Sequence, residues 1–158
     1  MSCPLDNTWT LDNQTMSCYY TDWYISGDSY ENYHDIYKAE AWCKKYHQNA
    51  TLVTVDSEYE KNLVLGMKFG EVWMKKPSND TVLKDWVSVY SNLDIDDFDD
   101  IENCAYLGTW SSEVDTQWCS ASSGTQVICE LAGHSKMRRE GLKNEIFHLS
   151  DNIPPPYG

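Results

Sequence analysis

The chain is 158 residues long, 41% hydrophobic and 13% aromatic, and carries a net charge of -13. That length accommodates one domain with a sizeable core and excludes a second full one, and the apolar and aromatic content excludes a disordered chain. The charge excludes a phosphate-binding role, because the protein's own field repels nucleic acid and anionic membrane.

In chain order, Cys3 to Cys18, with Trp9 and the turn residues Asp12-Asn13, reads as a hairpin. Tyr19 to Tyr33, rich in Tyr and Trp around Gly27-Asp28, reads as a strand followed by a long aromatic loop suited to contact. From Asn32 to Tyr46 the residues Ile36, Ala39, Cys43 and Tyr46 recur at intervals of three and four, which predicts a helix with Cys43 facing the core. Thr51 to Val55 is a short β-rich run, and Asp56-Ser57-Glu58 supplies cap residues for a second helix carrying Leu63 and Met67 at i,i+4. Gly66 and Gly70 weaken that helix towards its end.

Val72-Trp73-Met74 and Asp85 to Tyr90 are predicted as strands on either side of a turn at Pro77-Ser78-Asn79-Asp80. Two final strands, Asn103 to Leu107 and Thr125 to Glu130, bracket the segment between Cys104 and Cys119. Residues 1–131 are read as the domain and 132–158 as a tail. In the tail Lys136, Arg138, Arg139 and Lys143 oppose Glu140, Glu145 and Asp151, leaving it at +1 and the rest at -14. Leu142, Ile146 and Leu149 would share one face of a short amphipathic helix, and disorder is expected beyond Asp151 towards Pro154-Pro155-Pro156.

Six cysteines at dispersed spacings point to disulfides and an oxidising compartment, and none of the close pairs that zinc sites use is present. Spacing alone does not choose among the 15 connectivities. Sequons at Asn13, Asn49 and Asn79 agree with an extracellular glycoprotein. With no apolar leader and no run of membrane length, the expectation is a mature secreted protein or an ectodomain, with no membrane insertion within this chain.

Tyr37-Lys38-Ala39-Glu40-Ala41-Trp42-Cys43, Ala50 to Glu58, and Glu102-Asn103-Cys104-Ala105-Tyr106-Leu107 resemble the helix and strand signatures of the long-form C-type lectin-like domain. The resemblance covers Cys3 to Glu130. It implies an α+β fold in which two helices flank small antiparallel sheets and a disulfide-stapled irregular loop region forms the binding surface. It also implies the pairs Cys3 with Cys18, Cys43 with Cys129, and Cys104 with Cys119, and it makes Val72 to Met74 the core strand, with Trp86 the tryptophan that follows it.

Relatives that bind sugar through calcium share Glu-Pro-Asn or Gln-Pro-Asp in the long loop and Trp-Asn-Asp before the penultimate cysteine, since hard oxygen ligands hold the ion. Here no proline lies between Trp86 and Cys104, and the second motif is read at Trp110-Ser111-Ser112, which lacks the carboxylate. No calcium at the primary sugar site is therefore expected. An auxiliary calcium, by resemblance, would draw on Glu58 or Glu60 and on Glu130.

The segment Asp94 to Glu102 contains Asp94, Asp96, Asp97, Asp99 and Asp100, with Ile95, Phe98 and Ile101 as apolar pins. A solvated loop, a contact patch for a basic protein surface and a nonstandard calcium site all remain open for it. Its spacing lacks the glycine and distal glutamate of an EF-hand.

Scattered histidines, and the absence of a phosphate loop or nucleophile elbow, exclude the common enzyme readings. The leading expectation is an extracellular or cell-surface receptor-type domain that binds a protein ligand without obligatory calcium, nearer to the natural-killer-receptor and viral branch, with homodimers common among relatives. Its surface would run from Asn92 to Trp118, with Tyr90, Phe98, Trp110 and Trp118 as candidate anchors, and with a place in the core favoured for Trp110 over contact. The alternative is a divergent calcium-dependent carbohydrate-binding lectin using the acidic loop.

Overall fold

The computed structural model describes residues 3–4, 9–23, 35–77, 79–87, 97–98 and 101–133. The aromatic loop at 24–34, the candidates Tyr90, Asp94, Asp96, Asp99 and Asp100, and the tail from 134 lie outside the described residues.

The elements run β1 Thr10–Leu11, β2 Cys18–Trp23, α1 Ile36–Tyr46, β3 Thr51–Leu52, α2 Glu58–Met67, β4 Val72–Met74, α3 Asp80–Trp86, β5 Asn103–Leu107, β6 Asp115–Trp118 and β7 Gln126–Leu131. Among the described residues they form one sheet in the order β1-β2-β7-β4-β5-β6, with β3 also paired to β7. Every pairing is antiparallel except the β4–β7 contact at Val72 and Gln126. The fold is thus α+β, built on one mixed sheet and three helices where two helices and small antiparallel sheets were expected.

Side-chain alternation along the strands explains the layering. On β7, Ile128 faces one apolar cluster with Val53, Val64, Met74, Leu83 and Trp86, while Val127 and Cys129 face a second with Ala39, Cys43, Leu52 and Trp73. The sheet therefore lies between α1 on one side and α2 with α3 on the other. Gln126, fully buried, is satisfied at both ends of its amide: Oε1 accepts from Phe69 N and Gly70 N, and Nε2 donates to Thr21 Oγ1 and to Met67 O at the end of α2.

Each helix starts on a side-chain cap. Asp35 accepts from Lys38 N, Ser57 from Glu60 N, and Asn79 from Thr81 N and Val82 N. The last of these corrects the start of the strand expected from Asp85 to Tyr90, whose residues 88–90 lie outside the described ones: Asp85 and Trp86 form the final turn of α3, and Val87 makes an isolated bridge to Val114. Val82, Leu83 and Trp86 fall on one buried helical face, an arrangement that a short apolar run does not distinguish from a strand.

The disulfides join Cys3 to Cys18, Cys43 to Cys129, and Cys104 to Cys119, leaving no free cysteine. The second ties α1 to the central strand β7. The third closes the base of the β5–β6 hairpin, where Ile36 N also donates to Cys119 O and anchors the start of α1.

Candidate functional site

The β5–β6 hairpin carries two strongly exposed aromatic side chains, Trp110 and Trp118. Its connecting turn is held from behind at three points. Lys68 Nζ donates to Gly108 O at 2.7 Å and to Thr109 O at 2.8 Å. Trp86 Nε1 donates to Ser112 O at 2.8 Å, and Val114 N donates to Trp86 O at 2.9 Å. Ser111 closes the turn on itself, accepting from Glu113 N and donating to Glu113 O. Trp110 projects from this pinned turn with 98% of its surface exposed.

That exposure corrects the reading of Trp110 as core. The residue that fills the core ahead of β6 is Val114, fully buried beside Trp86 and Phe98. Val114 is followed by Asp115, whose Oδ1 accepts from Thr116 N. Phe98, a candidate anchor, is 6% exposed and belongs to the main core, whereas Ile101, expected to pin the loop, is 89% exposed. Asp97 is half-buried beside Phe98.

Two hollows flank the hairpin. At the turn end a cleft of about 590 Å³ is lined by Glu71, Tyr106, Trp110 and Glu113. Tyr106 packs on the buried Trp73 at 5.7 Å between ring centroids and supports this cleft from below. Burial pushes the Tyr106 hydroxyl's pKa up, and the negative charges of Glu71 and Asp115 push it further. Burial alone raises the pKa of Glu71. At the disulfide end a smaller hollow of about 350 Å³ is lined by Tyr37, Ile101, Glu102 and Trp118. Tyr37 is exposed, and Trp118 is 62% exposed.

The sequons Asn13, Asn49 and Asn79 are all on exposed positions. Asn79 caps α3 through Oδ1, leaving Nδ2, the atom that would carry a glycan, with one long contact of 3.5 Å to Asp56 O.

The auxiliary calcium candidates separate. Glu58 is exposed and pairs with Lys61 at 2.6 Å. Glu60 and Glu130 are both buried to 1% exposure. Glu60 accepts from Tyr19 Oη at 3.3 Å and from Asp56 N at 3.4 Å, and Glu130 accepts from Thr54 N and Thr54 Oγ1. Burial and the charges of Glu130 and Glu60 drive the Tyr19 pKa upward. Calcium takes 6–8 oxygens, and among the described residues no group of three or more His, Cys, Asp or Glu is placed to hold a metal.

Sequence reasoning missed Lys68, Glu71, Tyr106 and Glu113, whose roles depend on β4 and β5 lying side by side. It missed Tyr37 as surface because the residue was read only as part of a helix signature.

No family model matches the chain, and no curated protein matches it. Among solved structures it is similar to EMS16, described as an antagonist of the collagen receptor integrin α2β1, at 18% identity over 81% of this chain and 98% of that one, with a TM-score of 0.47. Botrocetin is similar at 18% identity over 84% of this chain and 100% of that one, TM-score 0.48. The snake venom toxin convulxin is similar at 20% identity over 84% and 99%, TM-score 0.48.

Proposed function

We propose that this chain is an extracellular C-type lectin-like recognition domain that binds a protein ligand without obligatory calcium, through the β5–β6 hairpin. The observation that carries it is the pair Trp110 and Trp118, 98% and 62% exposed on a hairpin stapled by Cys104–Cys119 and pinned by Lys68 and Trp86. Rigid, exposed tryptophans offer large contact area at little ordering cost, and such residues dominate interface energy. The disulfides support an oxidising, extracellular setting, and no helix among the described residues is long and apolar enough to cross a membrane. The sequence's affinity with the natural-killer-receptor and viral branch, a homodimeric state, glycans at the three sequons, and a domain ending near residue 131 with 132–158 as a tail belong to the same reading.

Calcium, in this reading, is a brace and not a ligand contact. Such a brace would draw on Glu60 and Glu130, which are buried and already accept hydrogen bonds from Tyr19, Asp56 and Thr54. The experiment is a paired display: the domain probed against cell-surface ectodomains and against glycans, each in calcium and in chelator. Capture of an ectodomain in both buffers supports the proposal. Glycan binding that disappears in chelator refutes it in favour of the lectin alternative.

A further inference from the structure

We propose that the cleft between β4 and the β5–β6 turn seats an arginine side chain of the protein ligand, paired by Glu71 and covered by Trp110. This rests on the protein-binding reading and specifies its chemistry. Glu71 lies at the head of β4; its main chain is tied to the start of β7 through Thr125 and Gln126. Among the described residues no hydrogen bond or ion pair reaches its carboxylate. A half-buried carboxylate without a donor is costly, and a cation relieves that cost.

The surroundings suit a guanidinium in particular. Glu113 lines the same cleft, and Asp115 stands opposite Tyr106 in the β5–β6 register, so the cleft is negative on several sides. Burial raises the pKa of Glu71 and of Tyr106, and for Tyr106 the negative charges of Glu71 and Asp115 add to it. Lys68, the cation that pins the turn, is committed to the carbonyl oxygens of Gly108 and Thr109. Trp110 and Tyr106 supply aromatic faces, on which a flat, weakly hydrated guanidinium stacks better than an ammonium. The overall charge of -13 favours approach of a basic surface.

The test uses the whole chain and three blocked tripeptides, glycine-X-glycine with X arginine, lysine or citrulline, the last a neutral isostere of arginine. Binding is read by NMR at the Trp110 indole N–H, assigned with Trp110→Phe. The arginine peptide is expected to give a saturable shift, weakened about tenfold or more in Glu71→Gln, with citrulline inert and lysine weaker. Absence of an arginine shift up to about 20 mM, an equal response to citrulline, or undiminished binding by Glu71→Gln overturns the proposal. An equal response to lysine overturns the assignment of a guanidinium. Melting of Glu71→Gln at or above wild type, with Trp110→Phe unchanged, excludes misfolding as the cause. The two readings fail separately: an ectodomain captured equally by wild type and Glu71→Gln removes the arginine seat and leaves protein recognition standing.

Discussion

Trp86 and Trp110 lie 24 positions apart and make opposite predictions. Trp86 is buried in the main core, and its indole N–H donates to Ser112 O at 2.8 Å. Trp86→Phe keeps an aromatic ring but removes that donor, at about 1 kcal/mol. The smaller ring forfeits roughly another 1 kcal/mol in transfer and cavity terms. A loss of about 2 kcal/mol follows, a fall in Tm of roughly 4–8 °C for a chain of this size. Trp110→Ala removes a side chain that is 98% exposed and is expected to change stability by less than about 0.5 kcal/mol. Urea unfolding followed by far-UV circular dichroism gives both values from the shift in midpoint at constant slope. The reasoning is refuted if Trp86→Phe unfolds with the wild-type midpoint, or if Trp110→Ala is the more damaging of the two.

Gly133 is buried, and a Cβ there would stand inside the Met16 carbonyl, whose residue already holds a positive φ of 57° and has little room to move. Gly133→Ala is expected to lower stability by about 1–3 kcal/mol, measured by thermal melting; a neutral substitution contradicts the packing at the end of β7. Replacing both cysteines of a pair by alanine should cost about 3 kcal/mol for Cys104–Cys119, with sequence separation 15, and about 4.6 kcal/mol for Cys43–Cys129, with separation 86, in the chain-entropy model. The reverse order in denaturant unfolding contradicts that model here. The pKa of Glu71 is raised by burial, so the folded chain holds this proton more tightly than the unfolded one, and stability falls as pH rises from the ordinary glutamate value through the raised one. Glu71→Gln should therefore melt at or above wild type at pH 7 and lose that advantage near pH 4; a mutant less stable at pH 7 than at pH 4, relative to wild type, reverses the sign and refutes the assignment.

The frame was legible because its signals are local. Ile36, Ala39 and Cys43 at helical spacing, and Ser57 three residues ahead of Glu60, specify α1 and α2 from neighbouring residues alone. The β5–β6 surface was not, because its side chains are sorted by partners far along the chain. Whether Trp110 or Val114 enters the core depends on Trp86 reaching Ser112 and on Val87 bridging Val114, 26 or 27 positions away. Apolar residues at intervals of three gave Phe98 and Ile101 the same role, yet Phe98 packs with Val114 while Ile101 faces solvent beside Trp118. α3 was hidden for a related reason: Asn79 reads as a turn residue until its carboxamide is seen capping the helix that follows.

The central claim, that this frame presents exposed tryptophans to a protein partner without calcium, is tested most directly by capture of cell-surface ectodomains in chelator, comparing wild type with Trp110→Ala and Trp118→Ala. The account predicts that wild type captures a partner in chelator and that at least one alanine variant, folded as judged by its melting temperature, loses that partner by tenfold or more, as expected for an interface anchor worth about 1.4 kcal/mol or above. Capture that requires calcium, or that both variants retain in full, contradicts it.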